Sequence, residues 1–133
     1  MKKTLYLVIF IVAILATTYT LYGFRNDNNG SCNTTALDFK SANLSDAIIL
    51  DVRTQPEFDS GHIEGALLID IYKRDFQERI GRLDKNKTYY VYCKTGARSA
   101  HAMRFMEQSG FNKVCNLEGG INQLKKAGIA LVK

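Results

Sequence analysis

Few side chains in this sequence could hold a metal. There are two histidines, His62 and His101, and three cysteines, Cys32, Cys93 and Cys115, with no Cys-x2-Cys pair. A structural metal site therefore finds no ligand set. The charge excess of a nucleic-acid binder is also missing. The formal net charge is +5, but Lys2, Lys3 and Arg25 precede residue 26 and no carboxylate accompanies them. Without those three, 15 basic residues face 13 acidic ones, a scattered +2 that offers no phosphate-tracking surface. No internal repeat is present, and 133 residues leave room for one globular domain but not two.

The first strong feature present is apolar. Met1-Lys2-Lys3 forms a short basic start, and Leu5 to Tyr22 runs 18 residues without a charge. As a helix this run would span roughly 27 Å, enough for a bilayer core. Its most apolar part, Leu5 to Ala16, has the length of a signal-peptide core, and Ala16 and Thr18 are small residues placed for cleavage. Residues 1–22 thus read as a signal peptide or an N-terminal membrane anchor, with the uncleaved anchor preferred. Lysines ahead of the run place the N-terminus inside and the domain outside, giving a periplasmic or outward-facing, inner-membrane-anchored protein.

Residues 23–35 are rich in Asn and Gly and read as a flexible linker, so the folded domain is expected over 36–133. Four short apolar or β-branched runs follow: Ala47–Val52, Ala66–Ile71, Thr88–Cys93 and Val114–Leu117. Helical spacing separates them over Arg74–Leu83, Ala97–Ser109 and Gly120–Ala127. Alternation of this kind implies an α/β fold with a central, mostly parallel sheet flanked by helices. Ligands of such sheets sit beyond the carboxyl ends of the strands, where Cys93 falls.

Cys93-Lys94-Thr95-Gly96-Ala97-Arg98 carries the chemistry. A cysteine at a strand end, followed by a tight loop and a helix start, has amides and a helix N-terminus aimed at its sulfur. Arg98 adds a permanent cation, and Lys94 raises the local potential. Both favour a thiolate and an anion bound beside it. Amides from Lys94 through Ser99 can form an anion nest. The loop is Cys-x4-Arg; cysteine phosphatases use the wider Cys-x5-Arg, so phosphate is disfavoured.

Four motifs in register resemble a known family. Ile49-Leu50-Asp51-Val52-Arg53, then Pro56-Glu57-Phe58, then Gly61-His62-Ile63-Glu64-Gly65-Ala66 resemble the paired N-terminal motifs of rhodanese domains. Cys93 through Ser99 resembles their active-site loop, and Gly119-Gly120-Ile121 their closing turn. With its leader, the chain looks most like exported, periplasmic phage-shock-type rhodaneses. The resemblance implies that Cys93 takes sulfane sulfur from a small anionic donor such as thiosulfate. The persulfide then passes to cyanide, a thiol or an unidentified protein acceptor, and no cofactor is needed. Lys94, Thr95, Gly96, Ala97, Arg98 and Ser99 become the substrate-binding loop. Two departures stand out: there is no Trp after the Gly-Gly turn, and Lys94-Thr95 replaces a commoner Arg-Ser-like pair, which removes a bidentate fork.

The remaining polar residues read as support. Asp51 and Arg53 suit an orienting ion pair at a strand end, and His62 a hydrogen-bonded turn. His101 reads as solvated, Cys115 as an inert core thiol, and Cys32 as a passive surface thiol rather than an intermolecular bridge or a partner to Cys93. Alternatives to an enzyme are a persulfide carrier or redox-interaction domain, and a pure binding module; an intact nucleophile argues against the last.

Overall fold

The computed structural model describes residues 30–133. The apolar run 5–22 and most of the proposed linker lie outside them. Among the described residues, no helix is long and apolar enough to cross a membrane.

Five strands form one sheet: β1 (Cys32–Thr34), β2 (Ala47–Asp51), β3 (Leu67–Leu68), β4 (Thr88–Tyr92) and β5 (Lys113–Leu117). They lie in the order β1-β5-β4-β2-β3, and every pairing is parallel. The helices are α1 (Ala36–Ser41), α2 (Gln55–Asp59), α3 (Phe76–Gly81), α4 (Ala97–Gln108) and α5 (Gly120–Lys126). Parallel strands need crossovers, and the crossover helices cover both faces. Side chains of β4 alternate accordingly. Tyr89 and Val91 face α3 and α4 with Phe76, Ile80, Ala102 and Met106, whereas Tyr92 faces α1 and α5 with Phe39, Ile121 and Leu124. Central β4 is therefore buried on both sides, and its carboxyl end delivers Cys93 to the rim of the sheet.

Two expectations are corrected at the N-terminal side. Residues 32–34 are not linker: they pair with β5 in the register Cys32↔Cys115, Asn33↔Asn116, Thr34↔Leu117. That register sets two cysteines side by side with Cα atoms 4.5 Å apart, and they form a disulfide. Cys32 is thus not a passive thiol and Cys115 is not a free core cysteine; each is half of one cross-strand bridge. The helix α1 that follows is capped by Thr35, whose hydroxyl accepts from the Asp38 amide at 3.2 Å.

The strand expected over 66–71 contributes only Leu67–Leu68 to the ladder. Beyond Leu68 the chain still tracks β2, with the Ile69 amide donating to Asp51 at 2.9 Å. Asp70 then ends the run, because its carboxylate takes the Tyr72 amide at 2.9 Å and its carbonyl the Lys73 amide at 3.1 Å.

Candidate active site

Cys93 is buried, and its Sγ lies inside the turn that begins α4. The Gly96 amide donates to Sγ at 3.1 Å. The Ser99 hydroxyl approaches to 3.5 Å, and it lies 3.1 Å from the Gly96 carbonyl, so one proton serves two acceptors. Burial by itself pushes the Cys93 thiol up. The Ser99 hydroxyl and the amides of Ser99, Thr95 and Gly96 outweigh that penalty, and the thiol is held below its ordinary value of 9.0. Gly96 makes the turn at φ 98° and caps α4; this left-handed conformation is what folds the amides back over the sulfur.

A second glycine clamps the loop from beneath. At α5 the Ile121 amide donates to the Cys93 carbonyl at 2.8 Å, and the Asn122 amide to the Lys94 carbonyl at 3.4 Å. This contact requires Gly120 to be bare: at φ +57°, a Cβ there would sit 2.4 Å from the Cys93 carbonyl oxygen. Gly120→Ala is expected to destabilise the domain by about 3 kcal/mol. It should also return the pH profile of Cys93 alkylation toward that of an ordinary thiol. Denaturant unfolding and iodoacetamide rates measure the two effects; an unchanged profile would mean that the clamp does not set the loop.

Arg98 neither caps nor bridges within its own helix. Its guanidinium grips Glu57 of α2 bidentately, at 2.9 and 2.7 Å, and lies 5.6 Å from the centroid of the Tyr72 ring. Glu57 also accepts from the Thr54 amide and hydroxyl at 3.1 and 3.0 Å. One carboxylate therefore caps α2 and ties it to the reactive loop. Thr54-x-x-Glu57 around Pro56 is the pattern of a capping box, the signal in the sequence that points to Glu57. Arg98 and the Thr54 contacts lower the Glu57 carboxyl from 4.5 to about 2, against the opposing effect of burial. The folded state thus binds fewer protons than the unfolded chain between those values. The stabilisation is complete above pH 4.5 and is lost as the pH falls toward 2. Glu57→Gln should cost about 1–2 kcal/mol at neutral pH, allowing for screening of a partly exposed pair, and should flatten acid unfolding across that window. Denaturant midpoints at several pH values test this.

The side chains of Lys94, Thr95 and Ala97 are exposed along the rim, whereas Gly96 and Ser99 are buried beneath it. Asp51, Arg53 and His62 stand apart from the sulfur. Arg53 binds Asp51 through Nε at 2.9 Å and through NH2 at 2.6 Å, and it donates to the Gly61 carbonyl at 2.9 Å. Burial opposes the Arg53 charge, but Asp51 outweighs it and the guanidinium is held above its usual range. The pair joins the end of β2 to the turn that carries His62. That imidazole stacks on Phe58 at 3.6 Å, with Nδ1 placed 3.1 Å from the Phe58 carbonyl. His101 is exposed on α4.

A buried cysteine whose thiol is lowered by surrounding amides, at the carboxyl end of a parallel sheet, suits sulfur-centred chemistry. A family model for the rhodanese-like domain matches residues 35–127, and the chain belongs to that family. A sulfurtransferase of Allochromatium vinosum is 31% identical over 97 residues, covering 73% of this chain and 89% of the relative. The probable adenylyltransferase/sulfurtransferase MoeZ of Mycobacterium tuberculosis is 40% identical over 73 residues, 55% of this chain, and the match spans only 19% of that longer protein. The tRNA uridine(34) hydroxylase of an Enterobacter species is 38% identical over 80 residues, 57% of this chain and 23% of the relative. Among solved structures, a rhodanese-related protein of Thermoplasma volcanium superposes with a TM-score of 0.67 at 34% identity, covering 75% of this chain and 96% of the other. A rhodanese-like domain protein of Staphylococcus aureus gives 0.63 at 28% identity, covering 78% and 99%. These relationships support sulfur transfer as the general chemistry.

Proposed function

We propose that this chain is an exported sulfurtransferase that carries sulfane sulfur on Cys93. The observation that carries the reading is the Gly96 amide 3.1 Å from a buried Sγ, in a nest that stabilises a thiolate and the anion it meets. In the first step the Cys93 thiolate attacks the outer sulfur of thiosulfate. The sulfur–sulfur bond of the donor breaks, its electron pair leaves with sulfite, and Cys93 becomes a persulfide. In the second step cyanide or a thiolate attacks the outer sulfur of that persulfide. The Cys93–sulfur bond breaks, returning its electrons to Sγ and releasing thiocyanate or a new persulfide. Lys94 and Thr95 at the exposed rim would meet the donor oxygens, while the Arg98–Glu57 pair holds the loop.

Export is supported by two features. The apolar run 5–22 follows a basic start, and the Cys32–Cys115 bridge belongs to an oxidising compartment. If the run stays uncleaved, it anchors the domain facing outward.

The test is to load the reduced protein with thiosulfate and record its intact mass, then add cyanide and assay thiocyanate. A gain of one sulfur atom, discharged by cyanide with turnover, is expected. Loading without repeated turnover would instead make the chain a persulfide carrier, and no loading at all would overturn the reading.

A further inference from the structure

Beside the reactive loop lies a cleft of about 420 Å³ lined by Ile71, Tyr72, Ala97, Arg98 and His101. Two of its walls have separate origins. Ala97 and Arg98 end the loop that starts at Cys93, and Ile71-Tyr72 lie in the turn that begins at Asp70, where the Ile71 amide donates to the Val52 carbonyl at 3.3 Å. Tyr72 is 69% exposed, high for an aromatic, and the Arg98 guanidinium lies over its ring. The charge of Arg98 is already matched by Glu57, so toward the cleft it offers chiefly a flat face and an alkyl stem. Lys73, Arg74 and Lys94 flank the lining residues in the sequence and are exposed, against one exposed carboxylate in the same segments, Asp75.

We infer that this cleft is the acceptor subsite, and that it takes a small thiol with an aromatic or apolar body and an anionic group. The inference rests on the sulfur-transfer reading above and names the second substrate of that same site. Its volume is that of a small-molecule site, whereas a stable protein partner would need about 800 Å² of surface on each side. The apolar walls receive the body, Tyr72 stacks on it, and the excess of exposed cations in the flanking segments attracts the anion. The acceptor held there attacks, through its thiolate, the outer sulfur on Cys93. It forms a bond to that sulfur as the Cys93–sulfur bond breaks, and the electron pair returns to Sγ. Cyanide is too small to use the cleft and serves as an internal reference.

The experiment compares kcat/KM for 4-(mercaptomethyl)benzoate, 2-mercaptoethanol and cyanide, after loading with thiosulfate. The wild type should prefer the aromatic acid over 2-mercaptoethanol. Tyr72→Ala should lower the ratio of the aromatic acid to cyanide about tenfold, mostly through KM, and Tyr72→Phe should keep it. In parallel, 4-ethylbenzoate, which has no thiol, should shift the amide resonances of residues 71, 72, 97 and 101 in the wild type and not in Tyr72→Ala. Equal use of all thiols, or a Tyr72→Ala loss shared equally by cyanide, overturns the inference while leaving sulfur transfer intact. Binding of 4-ethylbenzoate without any sulfur turnover upholds the subsite and sinks the transfer reading instead. Absence of resonance shifts overturns the subsite whatever the turnover.

Discussion

Cys93→Ser is expected to lower thiocyanate formation from thiosulfate and cyanide on the order of 10³-fold or more, with the fold retained. The amide of Gly96 and the hydroxyl of Ser99 would still find an oxygen to donate to, so the loop keeps its partners. What disappears is the nucleophile. A serine hydroxyl ionises far above neutral pH, and the nest that lowers the Cys93 thiol below its ordinary 9.0 cannot bring an alcohol into range. The variant should also gain no sulfur mass on exposure to thiosulfate. Thiocyanate production at the wild-type rate would remove Cys93 from the proposed chemistry altogether.

The second large effect concerns stability. Replacing both Cys32 and Cys115 by Ala is expected to lower the unfolding free energy by about 4–5 kcal/mol, a large share of what a domain of this size possesses. The bridge spans 83 residues of sequence and so closes nearly the whole described domain into one loop in the unfolded chain. Constraint of that loop provides the effect in the chain-entropy account. The double variant is the right comparison because a single one leaves a lone thiol: Cys115 is buried in β5, and Cys32 lies on the edge strand. Guanidinium unfolding of the oxidised protein, the reduced protein and the double variant measures the difference. A common midpoint for all three would mean that the bridge does not form in solution.

Elements whose information is local were legible in the sequence. The run Thr88–Cys93, the Gly96 turn and the helix from Ala97 to the Ser109 region lie next to one another in the chain, and the structure places them nearly as the spacing implied. The parallel sheet followed from alternation alone. Three features were not legible, each for a physical reason. Strand β1 is a three-residue polar edge strand in an Asn-rich stretch, and only its partner β5 gives it a conformation. The Cys32–Cys115 pairing depends on that register, which no spacing rule encodes. Helices α1 and α2 have six and five residues, too short for a periodic signal, so only their caps announce them. At the site, the sequence offers Arg98 only as a cation beside the sulfur; its bond to Glu57 crosses 41 positions and arises only when α2 packs beside α4.

The bridge also shapes how a loaded enzyme would behave in time. Of the three cysteines, two are consumed by each other, and Cys93 alone is free. No second thiol of the chain can attack a sulfur held there, so the intermediate has no internal route of discharge. Its lifetime is then governed by encounters with molecules from outside, and each chain stores a single sulfur between them. Under the proposed reading, such a protein would wait, charged, for a visitor, and the concentration of acceptor around it would set how long it waits.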